Sequence, residues 1–274
     1  MEPEPLVSES RGTGLPNGAG GPENADGVVT LTLSNPAKRN ALTPAMWRRL
    51  VTVLDELARD RTVRVLVLTG AGDTFSAGAD IGSLREEPGA LRAVQELTIA
   101  AEEALARFPH PTLAAIRGHC VGGGCQLAVA CDLRFASQDA RLGITPAKLG
   151  IVYPEPATRR LADLVGPATA KYLLFSGELV DAPHALRTGL VDEVHPAERL
   201  SDRVAAFART LSERSPLTQR AAKEFVAGFP DAESRAERVA HWRREEGDGA
   251  EAREGVSAYL ERRSPRFTWG TTGK

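Results

Sequence analysis

Apolar residues recur along this chain with two periods, and their alternation predicts its layout. Val28-Val29-Thr30-Leu31-Thr32-Leu33 alternates as a strand does, and Asn35-Pro36 breaks it. Thr43 then caps a helix with Pro44 in its first turn. Met46, Leu50, Val53, Leu54 and Leu57 form that helix's apolar face. Val63–Leu68 reads as the next strand and ends in a loop at Gly70. A helix over about 88–107 stops at Pro109 and Pro111, before a strand at Thr112–Ile116. Gly122–Gly124 open a further helix through Leu127, Ala128 and Val129, followed by a strand at Leu133–Ala136. Helices are expected over about 155–164 and 167–176, and a short strand at Leu190–Val194. From about residue 198 the pattern is helical and highly charged, with breaks at Pro216 and Pro230.

Strand–helix alternation predicts an α/β core with crossover connections. Residues 1–26 are rich in Pro, Gly, Glu and Ser and read as a disordered tail rather than a signal peptide. The core is expected at 27–200, and a helical C-terminal layer or oligomer interface at 201–274.

Composition narrows the classes. The 274 residues are 42% hydrophobic and 26% charged, an ordinary globular balance. A formal net charge of −2 gives no nucleic-acid footprint, and the apolar stretches are far short of a membrane span. Cys120, Cys125 and Cys131 are odd in number and lack a CxxC pair, which argues against a disulfide framework or a zinc site. They read as small buried residues of a cytoplasmic protein.

The candidate chemistry lies in two glycine-rich turns, each after an apolar strand. One is Phe75-Ser76-Ala77-Gly78-Ala79-Asp80; the other is Gly118-His119-Cys120-Val121-Gly122-Gly123-Gly124-Cys125-Gln126. A helix N-terminus carries unpaired N–H groups and partial positive charge, and glycine lets a ligand approach the backbone. Two such turns can aim two N–H groups at one oxyanion. The dinucleotide and P-loop fingerprints are absent.

Together with Asn35-Pro36-Ala37-Lys38-Arg39-Asn40-Ala41-Leu42 and Ala130-Cys131-Asp132-Leu133, these turns resemble the crotonase (enoyl-CoA hydratase/isomerase) superfamily in order and spacing. Glu254–Pro265 is similar to that family's C-terminal helix. The resemblance implies a crotonase spiral of ββα units with a helical C-terminal trimerisation region, assembled as a homotrimer or dimer of trimers. It implies an acyl-CoA thioester substrate of acyl-CoA or fatty-acid metabolism. No separate cofactor is implied, because coenzyme A comes as part of the substrate; nor is a metal, a nucleic acid or a membrane. The thioester carbonyl would accept hydrogen bonds from the N–H groups of Ala79 and Gly123. Arg39, Ala41, Ala77, Gly78, Asp80 and Ile81 would line the CoA path, and Arg262 would meet a CoA phosphate.

Two departures bear on the reaction. The family's hydratases place one glutamate where Gln126 stands and a second at the position read as Ala147. Gln cannot titrate and Ala is apolar, so the acid–base pair for hydration is missing. The stretch Thr145–Tyr153 resembles the methylmalonyl-CoA decarboxylase branch, in which Thr145 and Tyr153 would face the substrate carboxylate. Loss of carbon dioxide from a malonyl-type thioester gives the same enolate without a carboxylate base, so a carboxy-lyase is the leading expectation. Hydration or isomerisation of an enoyl-CoA and non-catalytic acyl-CoA binding are the alternatives. Glu155 is a candidate base and His119 a candidate proton donor; Asp132 reads as structural.

Overall fold

The structure is a computed structural model that describes residues 6–12, 27–85, 90–247 and 249–270. In chain order the elements are β1 (Leu6–Arg11), β2 (Val28–Ser34), α1 (Pro44–Arg59), β3 (Val65–Gly70), α2 (Ala90–Ala106), β4 (Thr112–Ile116), β5 (His119–Val121), α3 (Gly123–Ala130), β6 (Leu133–Ser137) and β7 (Arg141–Gly143). There follow α4 (Glu155–Ser176), β8 (Val180–Asp181), α5 (Ala182–Thr188), β9 (Glu193–His195), α6 (Ala197–Ser212), α7 (Pro216–Ala227), α8 (Ala232–Glu246) and α9 (Ala250–Glu261).

The main sheet runs β1-β2-β3-β4-β6-β9 and is parallel from β2 onward, as crossover helices require. A second sheet, β5-β7-β8, stands beside it. The α/β expectation therefore holds.

Both faces of the main sheet are covered. Along β3, Leu66 and Leu68 face α1, with its buried Met46, Trp47, Leu50, Val53 and Leu54. Val65 and Val67 point the other way, onto Leu200, Val204 and Ala208 of α6. Two-sided burial explains why β3 is almost continuously apolar. It also corrects the expected boundary at 200: α6 straddles it and belongs to the core, because its apolar stripe closes the second face.

Local chemistry sets the helix starts. The Thr43 hydroxyl accepts from Met46 N at 3.2 Å, with Pro44 leading the first turn. Asp181, Ser215 and Asp231 cap α5, α7 and α8 in the same way. The two helices expected over about 155–164 and 167–176 are both present: α4 is interrupted at Gly166, where a non-helical φ of 76° and ψ of 158° precede Pro167.

The expected tail is corrected at one segment. Leu6–Arg11 forms β1, antiparallel to β2, with Val7 buried and paired to Leu33. Arg11 ties the strand down through Asp60 at 2.8 Å, holding the Asp60 carboxyl at about 2. Gly12 N continues the pairing to Val28 O at 2.9 Å, and residues 1–5 and 13–26 of that expectation lie outside the described residues.

Candidate active site

The two glycine-rich turns meet. Ser76 N donates to His119 O at 2.9 Å, and Val121 N donates to Ser76 O at 2.9 Å, so the turns run side by side. The loop after β2 braces the first turn: Leu42 N donates to Gly78 O at 2.7 Å and Asp80 N to Leu42 O at 2.9 Å. This pairing skips the Ala79 N–H. The first N–H of α3, on Gly123, has no carbonyl one turn before it to bind. Neither group has an acceptor among the described residues. They are neighbours in space, since a Cβ built on Gly123 would lie 3.5 Å from Ala79 N. Gly122 opens α3 with φ of 55° and ψ of −121°, a conformation closed to other residues, and so turns the helix end toward the first loop.

The pair borders a cavity of about 160 Å³. Ala77, Gly78, Ala79 and Ile81 come from the first turn, and Gly122, Gly123 and Gln126 from the second. Leu91, Val94, Gln95 and Thr98 of α2 form one wall; the segment from Thr145 to Pro154 supplies Thr145, Pro146, Leu149, Ile151, Val152, Tyr153 and Pro154. Ile81, Leu149 and Val152 are exposed and make an apolar mouth. No Asp, Glu, His, Lys, Arg or Cys lines the cavity among the described residues. The polar side chains on its wall are Gln95, Thr98, Gln126, Thr145 and Tyr153.

Burial pushes the Tyr153 phenol well above its usual value, so it stays protonated and can donate. Behind the wall, Gln126 Nε2 donates to Glu102 of α2, and Glu102 also takes Arg160 of α4. The Glu102 carboxyl is fully buried, and that burial raises it above the usual carboxylate range although Gln126 and Arg160 oppose the shift.

The expected site residues divide into groups. Ala79, Gly123, Thr145 and Tyr153 line one cavity, as do Ala77, Gly78 and Ile81. Arg39, Ala41 and Asp80 are not on the cavity wall. Ala77 N donates to Arg39 O at 2.9 Å, Asn35 Nδ2 donates to Ala41 O at 2.7 Å, and Lys38 Nζ bonds Asp80 at 2.7 Å. Arg262 is exposed at the end of α9 and is not on the cavity wall. Ala147 is exposed too; Pro146, its neighbour, occupies the wall instead. Glu155 is exposed, 3.9 Å from Arg159, and away from the lining. His119 is half-buried in β5 and outside the lining. Asp132 is structural: it accepts from Thr112 N at 2.7 Å and from Lys223 Nζ at 2.7 Å. All three cysteines are free and buried, Cys125 to 1% exposure.

Sequence reasoning missed the α2 wall and Glu102. The signal was present: Val94, Thr98, Ala101 and Leu105 form the buried stripe of α2, and Glu102 interrupts it at an inward position.

Known proteins place this geometry in context. Residues 23–270 match the family profile described as enoyl-CoA hydratase/isomerase. The 2,3-dehydroadipyl-CoA hydratase of Escherichia coli is 33% identical over 244 residues, which is 88% of this chain and 94% of that protein. A crystal structure described as an enoyl-CoA hydratase/isomerase family member matches with a TM-score of 0.85 and 35% identity, covering 98% of each chain. The enoyl-CoA hydratase of Bacillus anthracis matches with a TM-score of 0.83 and 30% identity, covering 89% of this chain and 96% of that one.

Proposed function

The chain belongs to the enoyl-CoA hydratase/isomerase family, and from that premise we propose that it hydrates or isomerises an enoyl-CoA thioester through an oxyanion-stabilised enolate. The observation that carries this reading is the Ala79–Gly123 pair of unpartnered N–H groups at an apolar cavity. A thioester carbonyl seated there gains negative charge as the enolate forms. Each donor would contribute about 3–4 kcal/mol to that state. In hydration, water gives its oxygen to C3 and a proton to C2, so atoms balance with no net exchange with the wall. Gln95, Thr98, Gln126, Thr145 and Tyr153 are the polar side chains on the described wall that could orient that water. With no carboxylate among the described lining residues, the wall offers no general acid–base help from one, typically about 10²- to 10⁴-fold per group.

One observation favours a second reading, decarboxylation of a short malonyl-type CoA. Among the described residues the lining carries no negative charge to repel a substrate carboxylate, while Thr145 and Tyr153 offer hydroxyl donors to it. The names of the relatives weigh toward the hydratase. The protein would work in the cytoplasm, which its free thiols suit, as a homotrimer or dimer of trimers. Val256, Tyr259 and Leu260 on α9 are exposed apolar side chains that a second copy would cover.

Incubation with crotonyl-CoA, methylmalonyl-CoA and butyryl-CoA, read by mass, tests the reading. Gain of one water on crotonyl-CoA supports hydration. Loss of carbon dioxide from methylmalonyl-CoA supports the second reading instead. Binding of all three with no mass change overturns both and marks a non-catalytic acyl-CoA binder.

A further inference from the structure

We propose that a small cavity between Arg64 and Arg220, at the end of the main sheet opposite the two glycine-rich turns, binds a phosphate group. Its walls come from the end of α1 and the turn after it, from His110, from α7 and from Trp269. Arg64 stands just before β3 and His110 just before β4, so the cavity lies at the N-terminal ends of the parallel strands. The glycine-rich turns follow the C-terminal ends. The six residues of β3 separate the two ends by about 20 Å.

Positive charge gathers here without acceptors to match it. Arg59, Arg61, Arg64 and Arg220 line the cavity, against one carboxylate, Asp60, among the described residues. Asp60 is already engaged with Arg11 at 2.8 Å and with Thr62 N at 2.8 Å. Arg64 commits Nη2 to Arg214 O at 2.8 Å, and its Nε–H is buried with no acceptor. Arg220 makes no hydrogen bond or ion pair among the described residues; its guanidinium carbon lies 5.2 Å from the centre of the Trp269 ring. The carboxylates nearby are taken as well. Glu251 accepts from Trp269 N at 2.9 Å, and Glu245 accepts from Trp269 Nε1 at 3.0 Å. An arginine has five N–H donors, and a buried donor left without an acceptor is destabilising. Burial lowers both guanidiniums from their usual value. Burial, with Arg220 and Arg64, also holds the His110 imidazole at about 4, so it enters the cavity neutral and can add one N–H.

Size and geometry select the occupant. The cavity measures about 60 Å³. At roughly 15 Å³ for each oxygen-sized occupant, that is room for the four oxygens of one tetrahedral oxyanion. Each guanidinium fork matches a pair of phosphate oxygens, and a dianion offsets two buried cations at once. A larger cavity of about 480 Å³ shares Arg220 and Trp269, which leaves space for an ester group beyond the phosphate. Because Arg64 belongs to the sheet and Arg220 to α7, a bound phosphate would tie the C-terminal helices to the core.

Calorimetric titration with inorganic phosphate, at ionic strength held constant with potassium chloride, tests this. One phosphate should bind per chain, with a Kd of about 1 mM or below. At about tenfold excess over that Kd, phosphate should raise the Tm by roughly 3–5 °C. Arg64→Met and Arg220→Met should each weaken phosphate by about 10- to 100-fold while turnover of CoA thioesters stays unchanged. Arg220→Lys keeps the charge and loses the fork, so its affinity should fall between. If one methionine variant fails to fold, the other carries the test. Glycerol 3-phosphate and adenosine monophosphate identify the source: affinity equal to that of inorganic phosphate assigns the site to monoesters, and binding of inorganic phosphate alone assigns it to the free ion. Absence of a saturable one-site isotherm, or undiminished affinity in the folded variants, overturns the inference. So does competition between phosphate and a CoA thioester, which would put the anion in the acyl-CoA cavity instead.

Discussion

The backbone of Gly78 packs directly against that of Gly123: a Cβ on Gly78 would stand 3.0 Å from Gly123 N and 2.7 Å from Val121 O. Gly78 also holds φ at 93°, outside the range of other residues. Any side chain there must push the two turns apart. Gly78→Ala should therefore lower turnover of the preferred CoA thioester by about 10²–10³, the loss typical of one misplaced oxyanion donor. Steady-state kinetics beside a thermal melt checks this. An active, stable Gly78→Ala protein would show that the turns do not form the oxyanion site.

Tyr153→Phe removes a hydroxyl and little volume. Turnover should fall about tenfold, with CoA-thioester affinity nearly unchanged, if the phenol holds the reacting group. Because burial pushes this phenol upward, it titrates above the working range. The variant should leave the shape of the pH–rate profile intact below pH 10. Unchanged turnover would remove Tyr153 from the site.

Asn40 is a stability prediction. It is 1% exposed and donates to Ala71 O at 2.8 Å and Thr74 O at 2.7 Å; its oxygen accepts from Asn35 N at 3.0 Å. It sits at φ of 56°, where asparagine is tolerated. Asn40→Ala leaves buried carbonyls unpaired and adds backbone strain, so about 2–4 kcal/mol should be lost. Urea denaturation measures it.

His110 gives the chain an acid limit. It is 9% exposed, and burial, with Arg220, Arg64 and Lys223 nearby, pushes its imidazole from the usual 6.5 to about 4. A lowered folded value means that protons bind the unfolded chain first. Its contribution is present above pH 6.5 and lost as pH falls through about 4. Up to about 3 kcal/mol is involved. His110→Gln should flatten the stability profile across that window, as urea melts at several pH values would show.

Legibility followed how many residues carried each signal. Helix α1 was readable because Thr43, Pro44 and an apolar stripe agree over four turns. The two turns were readable because glycine runs follow apolar strands. Strands β5, β7 and β8 were missed because two or three residues cannot show a period. Strand β1 was missed because one buried side chain, Val7, anchors it and its partner supplies the rest. At the site, Ala79, Gly123, Thr145 and Tyr153, picked out from local motifs, line one cavity. Glu102 was not picked out, because its partners come from α3 and α4 and meet it through the fold alone. Ala147 and Pro146 show the same limit: which of two neighbours faces a cavity depends on a single turn of backbone.

Strand β1 has a practical corollary. It borders the main sheet with the polar residues Ser8, Glu9, Ser10 and Arg11. Beneath it, six of the seven residues of β2 are buried. A shortened chain beginning near Gly27 would turn that apolar ladder outward, with unpaired amides and carbonyls ready to recruit another strand. Trimming the first residues for expression would thus favour edge-to-edge aggregation, with the two glycine-rich turns untouched.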